Sequence, residues 1–512
     1  MGADGPEPTP RGLAFADGTS AIADFAWCPP TRYGKQNTFD DTWVWEGDRW
    51  RRIPRPAGIP WPHARWGASL AYDRTTGSVV LFGGLYQTTS PSAAESGPDV
   101  VNCWGSKNVQ PATPSDGVIK YQSTPITSVT VPTGSDGAQQ ALTSLCFQDT
   151  WLFDGFSWKR ATPAAKPSAR FEQAMSGGRA CAASLDPASS SCGPSSGLPT
   201  VFSGCEAIGM VGSHGRPDLA VSFDCSNYAG AQTIYTVTNG VTGEIRERKA
   251  TMGDTWVWKN NNWVKGCPGP ASGGTCRPIA GKSYNCSTPR AEIYGISLCA
   301  PSARRGATMT YNPATGGVLL FGGYTFDPVW GYRGHAADTW QWDAGTACLD
   351  TNDGPRSGPC WRLVMADWKA YHWTTPLPGG RGWGASTTAG VGGQWRVVLF
   401  GGHGYSRFDA ADPTGPESRY AESLNDTWVW LDGAGNGCTD GTDRYDTTCW
   451  QPCTTCLGST PAKRAAANLE YDSARGKMVL FGGVCETYCE PDYGGGDQHA
   501  DTWTLLAPPP IT

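Results

Sequence analysis

The chain has 512 residues, among them 67 glycines, 40 prolines and 24 tryptophans, with 17% of residues charged and a formal net charge of −6. An acidic balance with no basic cluster argues against nucleic acid as a partner. No apolar run is long enough for a membrane-spanning helix and no helical periodicity is sustained, so the expectation is an all-β chain.

Residues 1–36 carry the weakest pattern, in which Arg11-Gly12-Leu13-Ala14-Phe15 and Ala21-Ile22-Ala23-Asp24-Phe25 read as degenerate copies of a unit that is clearer downstream. From Asp41 onward the chain repeats itself. Asp-Thr-Trp begins at Asp41, Asp149, Asp254, Asp338, Asp426 and Asp501. Ahead of it stands an apolar run closing on Gly-Gly, as in Val79 to Gly84, Val318 to Gly323, Val397 to Gly402 and Met478 to Gly483, with Thr200 to Gly204 a poorer copy. Further upstream come an Arg, small residues and an aromatic (Arg65 to Tyr72, Arg305 to Tyr311, Arg464 to Tyr471). A turn comes next at Asp73 to Gly77, Asn312 to Gly316 and Asp472 to Gly476. Behind the first five Asp-Thr-Trp copies lies one more Trp (Trp50, Trp158, Trp263, Trp361, Trp450). Each unit therefore predicts four short strands rich in β-branched and aromatic residues, and a fixed order recurring this often is a repeat architecture.

Such units are blades of a β-propeller, in which flat Trp side chains bury area between neighbouring sheets and Gly-Gly ends a strand in a conformation a Cβ would forbid. The tryptophans and glycines are thus read as scaffold. The order Arg, apolar-Gly-Gly, aromatic strand, Trp resembles the kelch repeat over nearly the whole chain after residue 36. The expectation is one propeller domain over residues 1–512 with six four-stranded blades, or seven as the alternative, and with 1–36 as a degenerate first-blade and ring-closing segment. The last blade lacks a fourth strand because Ala507-Pro508-Pro509-Pro510 cannot supply a ladder.

There are 19 cysteines. Neighbours within single predicted loops pair as Cys103 with Cys146, Cys181 with Cys192, Cys205 with Cys225, Cys267 with Cys276, Cys286 with Cys299, Cys348 with Cys360, Cys438 with Cys449, Cys453 with Cys456 and Cys485 with Cys489. Adjacent pairs are free to exchange partners. Loop-stapling disulfides place the protein in an oxidising compartment, secreted to the cell surface, the extracellular space or the periplasm. Zinc at Cys453 and Cys456 is the competing account. Cys28 is the odd thiol; Cys28-Pro29-Pro30-Thr31-Arg32 matches the short sulfatase pattern but nothing else of that family, and reads as a free or intermolecular cysteine. Met1-Gly2-Ala3-Asp4 does not open a signal peptide, so the sequence is expected to be a mature form.

Loop lengths locate function. One face receives the connections 85–148, 205–253, 264–303, 324–337, 403–425 and 484–500, and long stapled loops on a rigid scaffold are where binding surfaces are built. The opposite face has Asp350, Asn352 and Asp353 in one loop and Asp440, Asp443 and Asp446 in another, which read as calcium ligands or as solvated turns. His63, His214, His335, His372, His403 and His499 all fall on the elaborated face. His335, His403 and His499 come from successive units and share their loops with Tyr324, Arg333, Tyr405, Arg407 and Tyr488. They are the candidate ligand-binding set, and the three histidines the candidate ligands of a transition metal or a proton-transfer set near neutral pH. His403 is expected at the surface, replaceable without loss of stability.

Two functions fit. One is a binding propeller whose insertion-rich face takes a partner protein, glycan or extracellular polymer. The other is an enzyme acting on a carbohydrate or other small substrate at the channel mouth, with or without a metal. Kelch propellers include binding modules, the copper enzyme galactose oxidase, iron-dependent specifier proteins and a sialic acid mutarotase, so the resemblance does not choose.

Overall fold

In the computed structural model, the residues described are 39–88, 99–104, 118–119, 129–133, 138–177, 198–202, 205–206, 219–222, 235–236, 248–251, 255–265, 275–279, 282–285, 292–293, 296–297, 301, 304–312, 315–326, 333–343, 348–350, 354–356, 360–365, 378–391, 394–405, 422–431, 449–453, 460–485 and 497–506. Every element among them is a β-strand. They form a β-propeller of antiparallel blades. The first blade is built from Ser69–Asp73, Ser78–Phe82, Thr150–Phe153 and Trp158–Ala161, and the third from Thr308–Asn312, Gly317–Phe321, Thr339–Asp343 and Cys360–Met365. The second and fourth repeat the plan, the second starting at Ala174–Ser176 and the fourth at Ala385–Val391. The fifth has three strands, Asn468–Asp472, Lys477–Phe481 and Thr502–Leu506.

That makes five blades, not the six or seven expected. The unit at Asp41 contributes only a two-stranded ribbon, Thr42–Trp45 against Trp50–Ile53. Its inner strands were assigned to residues 1–36, which lie outside the described residues. The ribbon stands between the fifth and first blades: Trp50 Nε1 donates to Thr502 Oγ1 at 2.9 Å, and Trp158 Nε1 to Thr42 Oγ1 at 2.8 Å. The ring closes there through side chains; no strand is added to the fifth blade among the described residues.

The same contact recurs around the ring. Trp263 donates to Thr150, Trp361 to Thr255 and Trp450 to Thr339, at 2.8, 2.8 and 3.0 Å. The last Trp of each unit thus lies on the preceding blade and reaches the Thr of its Asp-Thr-Trp. Trp258, Trp263, Trp340, Trp342, Trp428, Trp430 and Trp450 are fully buried between blades. The scaffold reading of the tryptophans holds.

Within a blade, Arg and Asp do what the sequence pattern did not show. Arg304 donates to both carboxylate oxygens of Asp338, at 2.6 and 2.8 Å, and to the carbonyl of Gly322 at 2.8 Å. Trp340 Nε1 donates to the same carboxylate at 2.6 Å. Arg65 with Asp149, Arg381 with Asp426 and Arg464 with Asp501 repeat the fork, each with its Gly-Gly carbonyl. In the third blade the residue at this position is Arg304, one before the Arg305 chosen from sequence.

Gly-Gly also links blades. Both glycines have positive φ in all four intact copies, for example 66° and 102° at Gly322 and Gly323. The second N–H donates to the carbonyl of the next blade's Arg: Gly84 to Arg170 at 2.8 Å, Gly323 to Arg381 at 2.8 Å and Gly402 to Arg464 at 2.9 Å. A Cβ on the first glycine would strike that carbonyl, at 2.6 Å on Gly83 and 2.7 Å on Gly401, and would overlap it on Gly322. Gly482, beside the ribbon, meets nothing nearer than 3.5 Å.

Gly322→Val should therefore lower stability by about 1–3 kcal/mol from the φ strain alone, with the steric overlap adding to it. Gly482→Val carries the strain without the overlap and should cost less; equal shifts in melting temperature would contradict this account. Asp338→Ala leaves Arg304, 1% exposed at its side chain, without its counter-charge, and should cost on the order of 3–5 kcal/mol by denaturant unfolding. Asp501→Ala should cost less, because that carboxylate is 40% exposed.

Candidate functional site

Strand pairing does not stop at Gly-Gly. Beyond it, Leu85–Thr88 pairs with Ala138–Phe147, Tyr324–Phe326 with Arg333–His335, and Val484–Cys485 with Asp497–Gln498, while His403 pairs with Ser423. The segment around each Arg joins from the other side: Arg304–Arg305 pairs with Tyr324 and Thr325, Arg381–Gly382 with His403 and Gly404, and Trp66 and Ala465 bridge Leu85 and Val484. The kink at Gly-Gly thus turns the second strand out of its blade into a second tier of small sheets. That tier carries the long connections. In the first blade it grows into a four-stranded sheet with Val100–Trp104 and Val129–Thr133.

Between blades and tier runs a collar. The residue two after each Arg is left-handed in all five blades: Gly67, Glu172, Gly306, Trp383 and Ala466, with φ from 53° to 62°. Their backbones are joined in sequence, Glu172 N–H to Gly67 at 2.8 Å, Gly306 to Glu172 at 3.0 Å, Trp383 to Gly306 at 2.6 Å and Ala466 to Trp383 at 2.8 Å. Glu172 and Trp383 hold a strained conformation where glycine would be free, which is how side chains come to be displayed at functional sites.

Above the collar the structure brings together four of the candidate residues. His403 Nδ1 and His335 Nε2 are 3.3 Å apart, one imidazole donating to the other. Tyr324 and Tyr405 lie edge-on to His335, with ring centroids at 5.3 and 5.7 Å. Sequence reading missed their neighbours: Arg305 sits 5.4 Å from the rings of both Tyr324 and Trp383 and donates to Glu172 at 3.3 Å. The available signal was the residue two after each Arg, where Glu172 and Trp383 replace the Gly or Ala of other units.

The histidine pair is packed inside the protein, not open at a mouth. His335 is 5% exposed and His403 2%. Burial pushes His403 down from 6.5 to about 4, which favours its neutral form near neutral pH. The surface placement expected for His403 is corrected likewise. His499 is half-buried, its N–H bonded to the Gly483 carbonyl at 2.9 Å. Among the described residues no three His, Cys, Asp or Glu side chains form a metal-holding group.

The backbone of Arg333 pairs with Phe326. Arg407, Tyr488, His214, His372 and the calcium candidates Asn352, Asp353, Asp440, Asp443 and Asp446 lie outside the described residues. His63 packs against Tyr86 and Phe147 in the first blade's tier. Cys146, Cys449, Cys453 and Cys485 are disulfide-bonded, which takes Cys453 out of a zinc site, but their partner sulfurs are not among the side chains described. Each of the nine pairings, and Cys28, thus rests on a side chain outside those described.

No family model matches the chain, and no curated protein matches it. Among solved structures, one titled "Structure of YjhT" is similar over 91% of this chain and 88% of that one, at 11% identity and a TM-score of 0.40.

The unfolded chain takes up a proton on His403 near pH 6.5, the folded one near 4. Stability from this group is present above pH 6.5 and is lost as pH falls through that window to below 4, by roughly 3 kcal/mol at most. Unfolding of His403→Phe, followed from pH 7 to 4, should show a flatter dependence than the parent. An identical slope would refute the burial assignment.

Proposed function

We propose that the protein is a secreted, kelch-type propeller that binds an extracellular partner through the second tier of sheets on its insertion-rich face. The observation that carries this reading is the tier itself. In the four blades with an intact Gly-Gly the chain goes on past it into further strand pairing, and in the second blade Cys205–Glu206 pairs with Arg170–Phe171, so the long connections start from hydrogen-bonded backbone and not from free loop ends. A preordered, broad support of that kind suits binding of a large partner, because little ordering entropy is lost on association. The order of Arg, Gly-Gly and Asp-Thr-Trp supports the kelch assignment, and the cysteine-rich connections support secretion. The enzymatic alternative draws less support, since the imidazoles that would serve it are packed away and His403 is held neutral.

The test is an array of immobilised polysaccharides and extracellular matrix proteins probed with the intact protein, followed by hydrogen exchange on whichever component binds. Amides of 85–88, 138–147, 324–326 and 333–335 should gain protection. Protection confined to the opposite-face turns at 73–78 and 472–477 would overturn the proposal, as would the absence of any bound component.

A further inference from the structure

Below the collar the five innermost strands line a half-open cavity of about 250 Å³. At about 30 Å³ per water it has room for roughly eight waters, so for one ring-sized molecule and not for a chain of them. Its polar groups come from equivalent positions. The sixth residue after each Arg is Ala71, Ser176, Thr310, Thr387 and Glu470, and all five line the cavity. Ser386 and Thr388 add two more hydroxyls. One flank is less polar, formed by Leu70, Met175 and Met309, five residues after their Arg.

The alternation has a structural cause. Thr308 and Thr310 of the third blade hydrogen-bond to Ser386 of the fourth. The sixth-position side chain therefore faces the next blade and the fifth-position one the blade before. Between described inner strands most of these side chains are buried, Met175, Met309, Ser176, Thr310 and Thr387 each 9% exposed or less and Ser386 half-buried. Leu70 and Glu470 flank the arc beside the ribbon and are exposed. Glu470 thus keeps a surface that solvent reaches while channel walls surround it, with Thr387 Oγ1 donating to its carboxyl at 3.5 Å. The loss of bulk water raises its carboxyl from 4.5 to about 7, against the lowering effect of the bonds from Thr387 and the Tyr471 backbone.

We propose that this cavity binds one small, neutral polyhydroxylated molecule of monosaccharide or cyclitol size. Hydroxyls and one carboxyl offer paired donors and acceptors to vicinal hydroxyl groups, and the Met and Leu flank takes the molecule's C–H edge. Among the described lining residues there is no Lys or Arg to pair with an anion. The same described residues include one carboxyl, too few charged ligands for a divalent cation. The site lies on the other side of the collar from the second tier, and does not depend on what the tier binds.

The test uses the full chain with D-glucose, D-galactose, N-acetyl-D-glucosamine and myo-inositol, by thermal shift and calorimetry. At least one should raise the melting temperature saturably. Thr310→Val and Thr387→Val keep the side-chain shape and remove a hydroxyl; each should weaken that binding about tenfold, as expected for one lost buried hydrogen bond. Ser176→Ala is the third variant should either fail to fold, judged by its melting temperature without ligand. No shift with any compound at ~100 mM, a level at which even millimolar affinity saturates, overturns the proposal. So does binding that all folded variants retain in full, which would put the sugar on the second tier instead.

Discussion

The guanidinium fork of the repeat arginines is the interaction on which the rest of the structure depends. In one contact it holds the start of the innermost strand, the Gly carbonyl at which the second strand leaves its blade, and the carboxylate that opens the third. Arg304 and Asp338 are almost entirely buried. A buried ion pair of this kind seldom adds net stability over a well-packed apolar pair, since desolvation consumes most of its Coulombic gain. What it does is penalise every other arrangement. Slipping the second strand by one residue would move the Gly carbonyl out of reach and leave a charged guanidinium short of an acceptor in a place without water. The Trp340 N–H on the same carboxylate fixes the third strand's first side chain in turn.

Between blades the logic is directional. Trp indoles reach back to the preceding Thr, second-glycine amides reach forward to the next Arg carbonyl, and collar amides reach back to the preceding collar carbonyl. Three sets of bonds at different radii give a propeller of short strands a rigidity that no single blade would have, since each blade contacts only its neighbours. The ribbon at Thr42–Trp45 takes part in the outermost set alone, through Trp50 and Thr42. Trp43 of the ribbon is exposed, as is Phe481 of the fifth blade, whose ring lies 5.1 Å from that of Trp50.

How much of this was legible in the sequence depends on what a repeat encodes. Strand order, the scaffold role of Trp and the need for glycine at Gly-Gly are local properties written once per unit, and they could be read off directly. The Arg and Asp were visible as recurring letters. Their partnership was not, because they stand 34 residues apart in one unit and 84 in another. A buried charge demands a counter-charge, and two opposite charges that recur once per unit were the signal available. The histidines were legible in part: loops from successive units suggested convergence, and His335 and His403 do meet, but loop position does not tell whether a side chain turns up to solvent or down into the tier. His335 and His403 turn down. The blade count failed at the one unit whose inner half has no clear pattern.

The innermost strands show where packing alone does not explain the sequence. Five residues after each Arg the side chains are mostly apolar, and six after it they are mostly polar, although four of the five sixth positions are buried. Val at Ser176, Thr310 and Thr387 would match the shape and avoid the cost of burying hydroxyls, about 1–3 kcal/mol each where unsatisfied. Satisfying them takes bonds that cross from blade to blade, such as Thr310 to Ser386 and Thr388 to the Tyr311 carbonyl. Since the outer strands show how readily this chain supplies Val, Leu and Trp wherever packing is the sole demand, a polar set on the innermost strands is a departure from the blade's own rule. Departures of that kind are expected where a structure does more than hold itself together.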